Sequence, residues 1–300
     1  MGEFPSRLRE GLGAGATAAP DPVKALPRPL PQEGGELIRA ARLLASVSST
    51  PRLDAELLLA HAMGITREAL LLGPERAVPP SFDGLLERRL AHEPVAFITG
   101  ERAFWTLDLH VTPDVLIPRP DSETLIEAAL AHFAGRAPTS ILDLGAGSGA
   151  LLLAAMSEWP QAWGLGVDRS AAALAVARGN AERLGLPARF VLGDWAAALD
   201  GRFDLILCNP PYVETGADLP PEVRGHEPHG ALFAGEDGLD DYRRLAPQVA
   251  RLLAPEGFAA VEIGAVQGEA AGALFRAAGL AVSVRQDLAA HDRCLQITCR

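Results

Sequence analysis

"ILDLGAGSGALLLAA", residues 141–155, changes character twice within one short stretch. Ile141 to Leu144 is apolar except for Asp143; Gly145, Gly147 and Gly149 then alternate with Ala146 and Ser148; Ala150 to Ala155 is apolar throughout. This is the pattern of a strand that turns on glycines into a helix. Glycine permits the tight turn and lets a ligand approach the amides at the mouth of the helix. The spacing is G-x-G-x-G, one residue shorter in its second step than the G-x-G-x-x-G of dinucleotide sites. A strand–turn–helix unit alone decides little. The fold depends on whether it repeats.

It repeats to the end of the chain. The period-two and period-3.6 patterns place strands at 140–144, 164–167, 189–192, 203–208, 257–263, 280–285 and 294–299. Helices fall at about 148–158, 170–184, 239–253 and 266–277. Regular alternation predicts a mostly parallel sheet covered on both faces. The last two strands are separated only by a short turn, so the final one is expected to run antiparallel. The class is therefore α/β, with a seven-stranded Rossmann-like sheet.

Upstream the pattern differs. "ELIRAARLLASV" and "RLDAELLLAHAMG" place apolar residues at helical spacing, the second ending at Gly64. With "TREALLL" and "SFDGLLERRLAHE" they define a small helical domain over 35–101. "FWTLDLHVTPDVLIPRP" alternates apolar and polar residues around a Thr-Pro-Asp turn, which predicts a β-hairpin linker within 102–125. "DSETLIEAALAHF" reads as a helix capped by Asp121 and Ser122, close to where the catalytic domain, 126–300, begins. Residues 1–34 are rich in Gly, Ala and Pro without periodicity and are expected to be a disordered extension.

The bulk composition narrows the partners. A net charge of −11 argues against a broad electrostatic grip on nucleic acid. Arginine supplies the positive charge; Lys24 is the only lysine. Cys208, Cys294 and Cys299 have neither metal-ligand spacing nor an even count, so no metal is expected and a reducing cytoplasm is. No apolar run approaches the roughly 18–20 residues of a membrane span.

Three strand ends carry acids. Asp143 precedes the first glycine, where a carboxylate suits an ammonium or sulfonium group and repels a pyrophosphate. Asp168 ends the second strand, where an acid accepts from ribose hydroxyls. Asp194-Trp195 ends the third, offering an acceptor and an indole face to an adenine. Singly, each is an ordinary surface acid or core tryptophan. Together they describe a site for adenosine with a cationic amino-acid tail, S-adenosylmethionine.

The fourth strand, Phe203–Cys208, stops at Asn209-Pro210-Pro211-Tyr212. Two prolines fix two φ angles, and Pro210 holds Asn209 extended. The Asn209 side-chain oxygen and the Pro210 carbonyl can then accept both N–H bonds of one planar NH₂ group, with Tyr212 over its face. Such a nitrogen is a poor nucleophile because its lone pair is delocalised. The task is orientation, and no strong base is needed.

"NPPY" with "DLGAGSG" resembles methyltransferases acting on planar amino groups. "PVAFITGERAFWTLDLHVTPDVLIPRPDSETLIE" (94–127), "RLDAELLLAHAMG" (52–64) and "HEPHGALFAGEDGLDDYR" (226–243) are similar to segments of the HemK/PrmC family, the peptide chain release factor glutamine methyltransferases. The resemblance runs from about residue 36 to the C-terminus. It implies methylation of the glutamine amide in the Gly-Gly-Gln motif of bacterial-type release factors, with S-adenosylhomocysteine as product and the helical domain helping to bind the factor. By position it implies that Gly145, Ala146, Gly147, Ser148 and Gly149 form the cofactor loop, Asp168 takes the ribose and Trp195 the adenine side. Asn209 would touch cofactor and substrate, and Asn209, Pro210, Pro211 and Tyr212 would hold the substrate. Arg119 would shape the pocket, Glu227-Pro228 would support it, and His226 and His229 would be loop residues. The alternatives are a glutamine methyltransferase of a ribosomal protein and, further off, a nucleic acid amine methyltransferase. The glycine spacing and Asp143 disfavour a nicotinamide oxidoreductase.

Overall fold

The computed structural model describes residues 33–300. The extension expected over 1–34 lies outside them, apart from its last two residues, which already belong to a helix. Helices α1 (Glu33–Leu44), α2 (Pro51–Met63), α3 (Arg67–Leu72), α4 (Ser81–Leu90) and α5 (Val95–Thr99) form the N-terminal region. Leu44, Leu58, Leu59, Phe82 and Leu86 fill its core. Arg89, at the end of α4, is buried; its Nε donates to Asp54 Oδ2 of α2 at 2.8 Å.

A two-stranded antiparallel hairpin follows, β1 (Glu101–Phe104) and β2 (Leu107–His110). Its turn is at Trp105-Thr106, with Trp105 at φ 56°, and not at Thr112-Pro113-Asp114. The proline turn comes after β2, where Thr112 Oγ1 receives the Asp114 amide. The alternation in this segment was visible, but the tight turn has no glycine or proline to mark it.

The rest alternates: α6 (Glu123–His132), β3 (Ser140–Leu144), α7 (Ala150–Glu158), β4 (Trp163–Asp168), α8 (Ala171–Leu184), β5 (Arg189–Leu192), β6 (Phe203–Cys208), α9 (Pro221–His226), α10 (Asp240–Leu252), β7 (Leu253–Glu262), α11 (Gly268–Ala277), β8 (Leu280–Gln286) and β9 (Asp292–Cys299). The seven strands lie in the order β5-β4-β3-β6-β7-β9-β8. All neighbours from β5 to β7 are parallel, and β9 is antiparallel to both β7 and β8, as expected for the last strand.

Pleating sends successive side chains to opposite faces. Ile141, Leu205 and Leu207 therefore join the core under α6, α7 and α8. Leu142, Leu144, Ile206 and Cys208 join Tyr242, Leu245, Val249 and Phe275 on the other side. Burial on both faces explains why these strands read as nearly continuous apolar runs.

One local expectation fails. Asp121 and Ser122 lie in a short 3₁₀ turn, and the Ser122 side chain makes no cap bond to α6. Its hydroxyl points inward and donates to the buried Glu262. Ser122 itself has helical backbone angles, φ −66° and ψ −16°, whereas a capping residue is non-helical, so its side chain does not reach back to the first amides of α6.

Candidate active site

The order of the strands reverses between β3 and β6, which lie side by side and parallel with Leu144 paired to Cys208. The glycine loop leaves the end of β3 and the Asn-Pro-Pro-Tyr loop leaves the end of β6, so both open into the crevice at this switch point. A cleft there is lined by Asp143, Gly145 to Ser148, Asp168, Asp194, Trp195, Asn209 and Pro211. Gly149, Pro210 and Tyr212 belong to the same two loops but do not line the cleft, so the expected place of Tyr212 over the face of a bound NH₂ group is not part of this wall. Pro228, Gly230 and Ala231 complete its far side, a contribution not foreseen for that segment.

The loop needs its glycines. Gly145 has φ 78°, and a Cβ there would sit 3.1 Å from the Trp195 ring. Gly149 has φ 83°, and its Cβ would press on Leu153 and Ala177, where α7 meets α8. Trp195 is itself left-handed at φ 51°. Its indole N–H donates to Asp241 Oδ1 at 3.1 Å, which turns the ring toward Gly145.

Each acid is differently engaged. Asp168 Oδ2 accepts from the Gly147 amide at 2.9 Å and Oδ1 from the Ser170 amide at 2.8 Å. Each oxygen keeps a lone pair, so the acid braces the loop and still faces the cleft. Asp194 pairs with Arg244. Asp143 is 1% exposed; Oδ2 accepts from the Leu152 amide, while Oδ1 is buried without a partner. Burial pushes its carboxyl up to about 7, the Leu152 amide opposes this, and the Asp168 charge adds to it. An orphaned carboxylate oxygen at the wall of a cleft fits a cationic ligand group.

The second loop is pinned from behind. The Val213 amide donates to the Leu232 carbonyl, the Ala234 amide donates to the Val213 carbonyl, and Gln267 Nε2 donates to the Tyr212 carbonyl at 3.1 Å. Tyr212 turns its hydroxyl inward, donating to Glu262 Oε1 at 3.2 Å. Asn209 Nδ2 donates to Ser122 Oγ at 3.2 Å. Arg119, expected to shape the pocket, and Glu227, expected to support it, form an ion pair at 2.6 Å. Burial raises the Glu227 carboxyl, and Arg119 counters it. Ser122 was read only as a helix cap, and Glu262 was missed. The available signal was a single acid inside the otherwise apolar run from Phe258 to Ile263.

Comparison with known proteins bears on the fold and the family. Residues 37–100 match the family of the PrmC N-terminal domain, and 121–221 match the methyltransferase small domain. The release factor glutamine methyltransferase of Rhodospirillum rubrum is 44% identical over 298 residues, covering 96% of this chain and 91% of the relative. That of Caulobacter vibrioides is 47% identical over 254 residues, covering 81% and 88%. A methyltransferase structure from Pyrococcus furiosus superposes with a TM-score of 0.50 at 20% identity, over 72% of this chain and 97% of that one, which establishes the fold alone.

The sheet, the glycine cleft and the matched catalytic domain define an S-adenosylmethionine-dependent methyltransferase with a Rossmann-like fold. Near-full-length identity then narrows the class. The chain belongs to the family of release factor glutamine methyltransferases.

Proposed function

We propose that the protein methylates the side-chain amide nitrogen of the glutamine in the Gly-Gly-Gln motif of bacterial-type release factors, and so modulates translation termination. The observation that carries this is the adjacency of the two loops: an asparagine held extended by prolines opens into the same crevice as the glycine turn. When bound, S-adenosylmethionine supplies an electrophilic methyl on a sulfonium and departs as the neutral thioether S-adenosylhomocysteine. Gly145 to Gly149 and Asp168 would hold its nucleoside, Trp195 would cover the adenine side, and Asp143 would offer its free oxygen to the cationic end.

The chain's own work is orientation. Asn209 gives its N–H to Ser122 and keeps Oδ1 for the substrate amide; the Pro210 carbonyl is the second acceptor. Two acceptors fix the plane of the incoming NH₂ and aim its nitrogen at the methyl group. Methylation makes that nitrogen cationic, so its proton leaves for solvent without a strong base. The helical region contributes contacts to the release factor. It is tied to the segment after the substrate loop, because Arg89 also pairs with Glu222 of α9 at 2.8 Å.

The test is transfer of labelled methyl from S-adenosylmethionine, with release factor, ribosomal protein and nucleic acid separated afterwards. Label on the Gly-Gly-Gln glutamine, located by mass spectrometry, is the expected result. Label on ribosomal protein or nucleic acid would overturn the reading.

Cofactor binding should also move a proton. In the unliganded protein Asp143 is part-protonated near pH 7. A cationic group beside it favours the carboxylate, so binding at pH 7 releases up to about half a proton. The unliganded fold loses stability as pH rises from about 4 to about 7, because the native carboxyl keeps a proton the unfolded chain has lost. Calorimetry in buffers of different ionisation heat measures the release. Asp143→Asn should abolish it, and equal release from the variant would rule Asp143 out.

A further inference from the structure

Glu262 ends β7 directly beneath the substrate loop and is 1% exposed. It is not part of the cleft wall. Three hydroxyls converge on it. Ser122 donates to Oε2 at 2.5 Å, Tyr212 donates to Oε1 at 3.2 Å, and Tyr242 donates to its backbone carbonyl at 2.9 Å. Ser122 in turn receives the Asn209 amide.

A hydroxyl has one proton. While Ser122 spends it on the carboxylate, only lone pairs remain for Asn209. The amide of Asn209 must then present its NH₂ to Ser122, and its oxygen is left facing the crevice. The reverse orientation would set the carbonyl oxygen against the Ser122 lone pairs and turn N–H groups toward the substrate's own N–H groups. Nothing else within reach of the Asn209 side chain imposes this choice among the described residues, where Ser122 is its one hydrogen-bond partner.

We propose that Glu262, acting through Ser122, is the positioning residue that fixes which end of the Asn209 amide faces the substrate. This rests on the reading of Asn209 as an acceptor for a planar NH₂ group. It assigns Glu262 no contact with substrate or cofactor. The Tyr212 hydroxyl has the same destination, so the two ends of the Asn209–Tyr212 loop are referred to one buried carboxylate.

The protonation of Glu262 sets the polarity of the chain of hydrogen bonds. Burial pushes its carboxyl up to about 7; Ser122, Arg293 and Tyr212 favour the charged form, and Asp121 opposes it. Tyr242 of α10, Cys294 of β9 and Cys208 of β6 also face it and stay uncharged, their own ionisation being pushed up by burial. A protonated Glu262 can donate to Ser122, whose proton then turns to Asn209 and favours the flipped amide. The rate therefore falls as pH drops through about 7.

The test compares wild type, Ser122→Ala, Ser122→Thr and Glu262→Gln at saturating S-adenosylmethionine, on whichever planar-nitrogen acceptor wild type methylates. Ser122→Ala and Glu262→Gln should lose roughly tenfold or more in kcat, with cofactor affinity within about twofold of wild type. Ser122→Thr keeps the hydroxyl and should keep most of the rate. The kcat limb near pH 7 should be present in wild type and absent from Glu262→Gln. Should Glu262→Gln fail to fold, Ser122→Ala, which buries no charge, decides alone. A kcat within twofold of wild type in Ser122→Ala, or an unchanged pH limb in a folded Glu262→Gln, overturns the proposal. Methylation of ribosomal protein in place of release factor would overturn the substrate reading and leave this comparison intact.

Discussion

Asn209→Ala lowers the methylation rate by about 10²–10³-fold, the scale for removing one preorganised polar partner from a reacting centre. The substitution removes the acceptor for the substrate amide and leaves the prolines, the glycine loop and the cofactor acids in place. Ser122 loses an incoming N–H bond but keeps its bond to Glu262, so the fold should survive. Single-turnover measurement with bound cofactor isolates the chemical step from binding. Asn209→Asp is the sharper comparison. It keeps size and acceptor, yet a carboxylate has no N–H for Ser122 and adds charge beside a bound cation. Cofactor binding should tighten while the rate falls. Full turnover by Asn209→Ala would reduce the loop to a stiff strand end.

The largest stability effect is expected far from the chemistry. Arg89→Ala should destabilise the protein by about 3–5 kcal/mol, the cost of leaving one member of a buried ion pair uncompensated. Arg89 and Asp54 have side-chain exposures of only 5% and 9%. Arg89 also donates to the Val47 carbonyl and pairs with Glu222, so one guanidinium joins α1–α2, α4 and α9. Urea unfolding of the purified variant measures the loss. A change below about 1 kcal/mol would mean that water or a rearranged loop compensates Asp54. Arg89→Ala should also slow methylation of intact release factor more than it weakens cofactor binding, since α9 is the next helix after the Asn209–Tyr212 loop.

Much of the site was readable because its signals are local. Gly145, Gly147 and Gly149 announce a turn through their spacing, and the structure gives all three positive φ. Asp168 and Trp195 were legible from their place at strand ends, and both line the cleft. Ser122 misled for the same reason. Its neighbours resemble a helix start, and nothing nearby in the chain reveals the acid that takes its hydroxyl. Arg119 and Glu227 were each noticed, but their pairing joins residues 108 positions apart.

The sequence by itself determined the α/β class, the succession of strands and helices along the chain and the two loops that open into the crevice. Those follow from periodicity, turn-forming residues and strand-end acids, which act over a few residues. Only the tertiary structure decided how the loops are held. Ser122 and Glu262 are 140 residues apart, and Asn209 lies 87 from Ser122. Parallel strand order brings the ends of β6 and β7 together under the 3₁₀ turn before α6, and burial then makes each polar group there find a partner. That requirement is met between distant residues, and no local pattern encodes which ones.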